Sequence, residues 1–191
     1  MGRRSVVVQR FEREIHLKTA VICAALLAGA APSAAQAVEL FGGLHVHDVK
    51  TPLDDAGLES GLDVSLGIRG NTIGHLWRGA LQPYAFAAVN TAGNTDYASV
   101  GISAKYELGK GWYFRPGLGI AIHNGSAGKY YRTDKIAFGS RVLFQPEIGF
   151  GTQLTSHVSM EASWVHMSHA QLAGKENPGI DNLGVRINLA L

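Results

Sequence analysis

Along most of this chain apolar and polar side chains alternate every second residue. That period builds β-strands with one face in an apolar medium, and it excludes helices carrying an apolar stripe. In 97–108, Ala98, Val100, Ile102, Ala104, Tyr106 and Leu108 interleave with Tyr97, Ser99, Gly101, Ser103, Lys105 and Glu107. In 112–122, Trp112, Phe114, Pro116, Leu118, Ile120 and Ile122 interleave with Tyr113, Arg115, Gly117, Gly119 and Ala121. The same pattern runs through 61–69, through Val142, Phe144, Pro146, Ile148 and Phe150, through 158–168, and through Leu183, Val185, Ile187, Leu189 and Leu191. A shorter stretch, 40–47, sets Leu44 and Val46 against His45 and His47, while 81–89 is apolar on both faces. Eight strands result.

The same alternation reads two ways. A soluble sandwich or lipocalin-like barrel turns its apolar face inward, whereas a small membrane barrel turns it outward. Here the polar faces mix glycine with Asp63, Arg69, Lys105, Glu107, Arg115, Arg141, Glu147, Glu161 and Arg186. Glycine suits a crowded eight-strand interior, and opposite charges pair there; a solvated face favours Lys, Thr and Gln. Tyr106 and Trp112 flank the tight turn Leu108-Gly109-Lys110-Gly111, as interfacial aromatics do. The expected fold is therefore all-β, an eight-stranded antiparallel transmembrane β-barrel, with Glu147 and Glu161 paired to Arg141, Arg115 or Arg186. Long links at 48–60, 123–139 and 169–181 alternate with short ones, which predicts an extracellular long-loop end and both termini in the periplasm.

Residues 1–37 read as a signal peptide: Arg3, Arg4, Arg10, Arg13 and Lys18, then the apolar run 20–28, then Ala35-Gln36-Ala37 as an A-x-A cleavage pattern. The barrel domain is then 38–191. Five of the 17 Lys/Arg and two of the 15 Asp/Glu fall in this leader, so the remainder carries 12 basic and 13 acidic residues. The basic character belongs to the leader, and nothing in the rest calls for nucleic acid. The single cysteine, Cys23, also lies there, so no disulfide is expected to hold an exported domain that closure of the barrel holds instead.

His166 and Ser168 are two apart and share parity with Val158, Met160, Ala162 and Trp164, the outward face. Asp181 shares parity with Leu183 and Val185 on the adjoining last strand. An imidazole, a hydroxyl and a carboxylate converging on one rim are the parts of a serine hydrolase. Other readings of the same residues stay open. His166 and Ser168 are loop residues if the strand ends at Trp164, Asp181 serves the turn 177–181, and Glu176 is a second candidate acid. His45-x-His47 and the His166/His169 pair form no closed ligand set, so no metal or cofactor is expected.

The segment His166-Met167-Ser168-His169-Ala170, followed by Asn177-Pro178-Gly179-Ile180-Asp181 leading into a last strand, resembles the signature of the PagL-type lipid A 3-O-deacylases. The wider likeness includes Phe144-Gln145-Pro146-Glu147-Ile148-Gly149. The resemblance implies an outer-membrane esterase that removes the 3-O-linked hydroxy fatty acid of lipopolysaccharide without metal. It implies Ser168 as nucleophile, His166 as base and Asp181 as orienting acid, with Asn177, His169 and Ala170 supporting the loop or the oxyanion. The family commonly has Asn where this chain has His169, and its best-known member has Glu where this chain has Asp181. Outer-membrane lipid as surroundings and a homodimer are implied too, and the link lengths predict that the end of the seventh strand, His166-Met167-Ser168, sits at the outer leaflet. Lys129, Arg132, Lys135 and Lys175 are loop cations open to two readings, contacts for lipid A phosphates or solvated loop charge. The rival reading is a non-enzymatic small outer-membrane barrel, an adhesin or structural element, in which His166 and Ser168 are dispensable.

Overall fold

The computed structural model describes residues 38–51, 57–128, 135–172 and 178–191. The leader 1–37 lies outside the described residues. Among the described residues nine strands follow in order: β1 (Glu39–Val46), β2 (Leu62–Arg69), β3 (Gly74–Leu76), β4 (Gly79–Asn90), β5 (Tyr97–Gly109), β6 (Trp112–His123), β7 (Val142–Gln153), β8 (Val158–Met167) and β9 (Ile180–Ala190). Every pairing is antiparallel, each of the longer strands bonding its neighbour in the chain, with β2 reaching β4 past the short β3. The ring is completed by β1 on β9, from Glu39↔Ala190 to Val46↔Leu183. Eight strands thus form a closed barrel. β3 is a three-residue addition folded back on β4 inside a link the sequence reads as plain loop. Its turn is left-handed at Trp77 (φ 53°), which lets the chain reverse at once.

Closure leaves no open edge among the eight long strands, as hydrocarbon surroundings demand. The outward faces carry Leu44, Leu66, Val100, Leu118, Ile120, Phe150 and Leu183, all exposed, and Trp112 stacks on Phe150 at 5.3 Å near the short-turn end. This is the wall of a transmembrane barrel, apolar outward. β4 is apolar on both faces because its inward Tyr84, Phe86 and Ala88 pack with Phe41 and Tyr97 inside the barrel.

Lower in the interior three arginines meet three glutamates. Arg115 binds Glu39 at 2.8 Å and Glu161 at 3.2 Å; Arg186 binds Glu147 at 3.0 Å; Arg69 binds Glu39 and approaches Glu161 at 3.6 Å. Charges cancel where no bulk water can screen them, and deleting one partner of such a set costs about 3–5 kcal/mol. Arg141 takes no part. Its guanidinium donates to the His123 and Gly125 carbonyls at the long-loop end, and Arg69 holds the place the sequence offers it.

Inward glycines make room for these side chains. A Cβ on Gly67 would stand 2.3 Å from Phe41 and 2.5 Å from Phe86, and one on Gly149 would stand 2.5 Å from the Glu161 carboxyl carbon. Outward Gly42 has only ordinary contact, 3.6 Å to a backbone oxygen. Gly67→Ala should therefore lower folding stability by about 1–3 kcal/mol in urea titration of the detergent-folded protein. Gly42→Ala should leave the transition within about 0.5 kcal/mol.

Candidate active site

The register of β8 on β9 places His166 opposite Asp181, with Trp164 opposite Leu183 and Met167 opposite Ile180. Beyond Met167 the chain keeps its extended path for one more residue. The Ser168 amide donates to the Phe144 carbonyl at 3.1 Å, and the Phe144 amide donates back to the Ser168 carbonyl at 2.8 Å. Ser168 is thus tied to β7, and the outward parity of β8 persists to the hydroxyl. His166 and Ser168 stand two residues apart on one face; His166 and Asp181 are a cross-strand pair.

Their side chains form one hydrogen-bonded line. His166 Nδ1 lies 2.8 Å from Asp181 Oδ1, and His166 Nε2 lies 3.1 Å from Ser168 Oγ. A carboxylate can only accept, so Nδ1 carries the proton, and Nε2 of the neutral ring is left to accept from the serine hydroxyl. Asp181 is further fixed by Trp164, whose Nε1 donates to Oδ1 at 2.9 Å, and by Thr51, whose Oγ1 donates to Oδ2. Trp164 also stacks on His166, with centroids 5.9 Å apart and planes at 24°.

The trio keeps its outward parity yet is not bare to lipid: His166 is 9% exposed, Ser168 7% and Asp181 0%. A strap from the β1–β2 loop crosses the start of β9. There the Val49 amide donates to the Asp181 carbonyl at 2.7 Å, and the Asp48 amide donates to Asn182 Oδ1 at 3.0 Å. Gly179 lies on the His166 ring, where a Cβ would come within 2.8 Å of Cε1. Every polar atom of the trio therefore finds its partner within the protein, which hydrocarbon surroundings require. On the inner side Val165, Met167, Ile180, Phe138 and Leu143 form a buried apolar cluster beneath it.

His169 is buried against Gly139. With Ile120, Ser140, Val142, Leu143, Phe144 and Leu172 it lines a mostly apolar groove of about 230 Å³. Phe144, the bridge partner of Ser168, belongs to that groove. Ala170 and Gln171 both hold left-handed backbone angles, φ 51° and 62°. Such a pair costs non-glycine residues about 1–3 kcal/mol each, and it turns the chain sharply two residues after the serine. Asn177 and Glu176 lie outside the described residues, as do Lys129, Arg132 and Lys175.

Two residues of the site escape the sequence reading. Trp164 carries a signal, outward parity two residues before His166 and an indole N–H that needs a partner when buried. Thr51 carries none, since it arrives from a loop 130 positions away from Asp181.

The sequence matches the profile of a family described as lipid A 3-O-deacylase (PagL) over residues 60–190. The fold is similar to the crystal structure of the outer membrane enzyme PagL, at 20% identity and TM-score 0.57, with 80% of this chain and 99% of that chain covered. It is also similar to a de novo designed transmembrane β-barrel, at 7% identity and TM-score 0.53, with 84% and 100% covered. A search of curated proteins finds no match.

The strap over Asp181 is itself pinned by an ionic node just past the end of β1. His47 Nδ1 meets Asp63 at 2.9 Å and its Nε2 meets Glu59 at 3.1 Å. Glu59 also accepts from the amides of Thr95 (3.0 Å) and Ile136 (3.3 Å), so one carboxylate ties three loops together. Burial pulls the His47 imidazole down, but its hydrogen bonds to Asp63 and Glu59 and their charges outweigh burial and carry it up to about 9. A raised imidazole stabilises below its free value near 6.5 and ceases to do so as pH climbs through about 9. The thermal midpoint should fall across that window, and His47→Gln should lose the window-specific part of the fall.

Proposed function

This chain belongs to the PagL family of lipid A 3-O-deacylases, and from that membership we propose that it is a serine esterase whose nucleophile is Ser168. The observation that carries the reading is the continuous hydrogen-bonded line Ser168–His166–Asp181 on the outward wall beside the Phe144 groove. The substrate is lipid A of lipopolysaccharide, and the bond cleaved is the ester of its 3-position hydroxy fatty acid. The mature form begins at Val38 after export, and its long-loop end faces the outer leaflet, where this glycolipid resides. Lys135, in the loop before β7, is a cation of that end for the phosphates, and Lys129, Arg132 and Lys175, outside the described residues, are further candidates from the sequence alone. The homodimer implied by the resemblance belongs to the same proposal.

In the mechanism, the acyl chain lies along Ile120, Val142 and Phe144, which brings the ester carbonyl over Ser168. His166 Nε2 takes the hydroxyl proton as Oγ bonds to the carbonyl carbon, and Asp181 steadies the imidazolium through Nδ1–H. The oxyanion is met by donors of the turn after the serine, His169 and Ala170, with Asn177, outside the described residues, as the further donor that the resemblance implies. Collapse breaks the bond to the sugar 3-oxygen, which leaves with the proton held by His166. A water molecule, deprotonated by the same imidazole, then attacks the acyl-serine and releases the free hydroxy acid, restoring Ser168. His169 and the shorter Asp181 are the two departures from the family pattern. The second is compatible with the direct His166–Asp181 contact across the β8–β9 pair.

Ser168→Ala should lower turnover about 10⁴-fold or more while the barrel still folds. The check is mass spectrometry of lipid A from cells expressing either form. A fluorophosphonate should label Ser168, with labelling lost in His166→Asn. Unchanged deacylation by Ser168→Ala would remove the assignment.

A further inference from the structure

We propose that Trp164 and Thr51 are positioning residues that clamp the Asp181 carboxylate and set how strongly it draws on His166. The inference rests on the serine-esterase reading and deepens it. Asp181 accepts three donors on two oxygens: His166 Nδ1 (2.8 Å) and Trp164 Nε1 (2.9 Å) share Oδ1, and Thr51 Oγ1 holds Oδ2. Trp164 bonds the acid and stacks on the base, so one rigid side chain fixes both relative to each other. Thr51 holds the other oxygen, carried by a strap whose backbone is bonded to Asp181 itself through Val49. With the carboxylate fully buried, these donors take the place that water fills around an exposed acid.

Two consequences follow from the chemistry. First, an aspartate has one torsion fewer than a glutamate, but it can still swing about its Cα–Cβ bond, and losing a donor lets it do so. The base then spends less time aimed at the serine. Second, each neutral donor draws charge from the carboxylate. Removing one makes the carboxylate more basic and strengthens its hold on the imidazolium, so His166 gives up its proton only at higher pH. A residue that merely packs the wall would lower the rate alike at every pH.

The test uses the full mature chain in detergent micelles with purified lipid A, with kcat and KM measured from about pH 5 to pH 9. Trp164→Phe and Thr51→Val should each lower kcat about tenfold and leave KM within about twofold. Each should also move the acidic limb of the kcat/KM profile to higher pH. Thr51→Ser, which keeps the hydroxyl, should return the limb to its wild-type place. An unmoved limb in both variants, whatever the loss of rate, overturns the proposal, as do wild-type kinetics in both. If Trp164→Phe fails to fold, Thr51→Val reads the other oxygen of the same carboxylate. Ser168→Ala run in parallel separates the two levels. Its retained activity would sink the esterase reading and the clamp with it. Its inactivity beside wild-type behaviour of the other two variants would sink the clamp alone.

Discussion

Backbone polarity in an apolar medium is the constraint from which the rest of this structure follows. A strand that crosses hydrocarbon must have both of its edges bonded, and the β1–β9 and β2–β4 pairings supply the last two edges. Once the ring is shut, alternate residues have nowhere to go but in or out. Apolar side chains take the wall, and the interior inherits what the wall cannot hold: three arginines and three glutamates in mutual contact, with glycines opposite the bulkiest of them. Arg69 and Arg186 also lie over the Phe41 ring, at 4.2 and 5.1 Å, which joins the charged layer to the aromatic one above it.

The site breaks this division of polarity at one place. Four polar side chains on outward positions, Trp164, His166, Ser168 and Asp181, would each be costly against lipid if taken singly. As a group they satisfy one another, and the 48–51 strap and Gly179 cover them. The arrangement is held by regular sheet rather than by loop. His166 and Asp181 are register partners, and the serine amide and carbonyl are both engaged by β7. Sites held on regular elements keep their geometry more closely than sites on loops.

How much of this the sequence discloses depends on distance along the chain. Parity is local, so the eight strands, the outward wall and the common face of His166, Ser168 and Asp181 are legible directly. Pairing inside the lumen is not local. Arg69 and Arg141 share inward parity, but Arg69 ends β2 opposite Glu39 at the short-turn end, while Arg141 precedes β7 at the long-loop end and bonds loop carbonyls instead. The apolar inner face of 81–89 looks like a broken strand until Phe41 and Tyr97 are seen to pack against it. β3 is too short to show a period. Thr51 and the strap are invisible for the same reason as Arg69: their partner is remote, and a loop carries no periodicity to aim it.

The seam where β1 meets β9 has a bearing on when the molecule becomes competent. Asp181 sits on one side of that seam, and the strap bearing Thr51 hangs from the other. A chain still in transit, with its first and last strands apart, presents a serine and an imidazole but lacks the strap over the carboxylate. Assembly of the barrel and completion of the site are thus a single event.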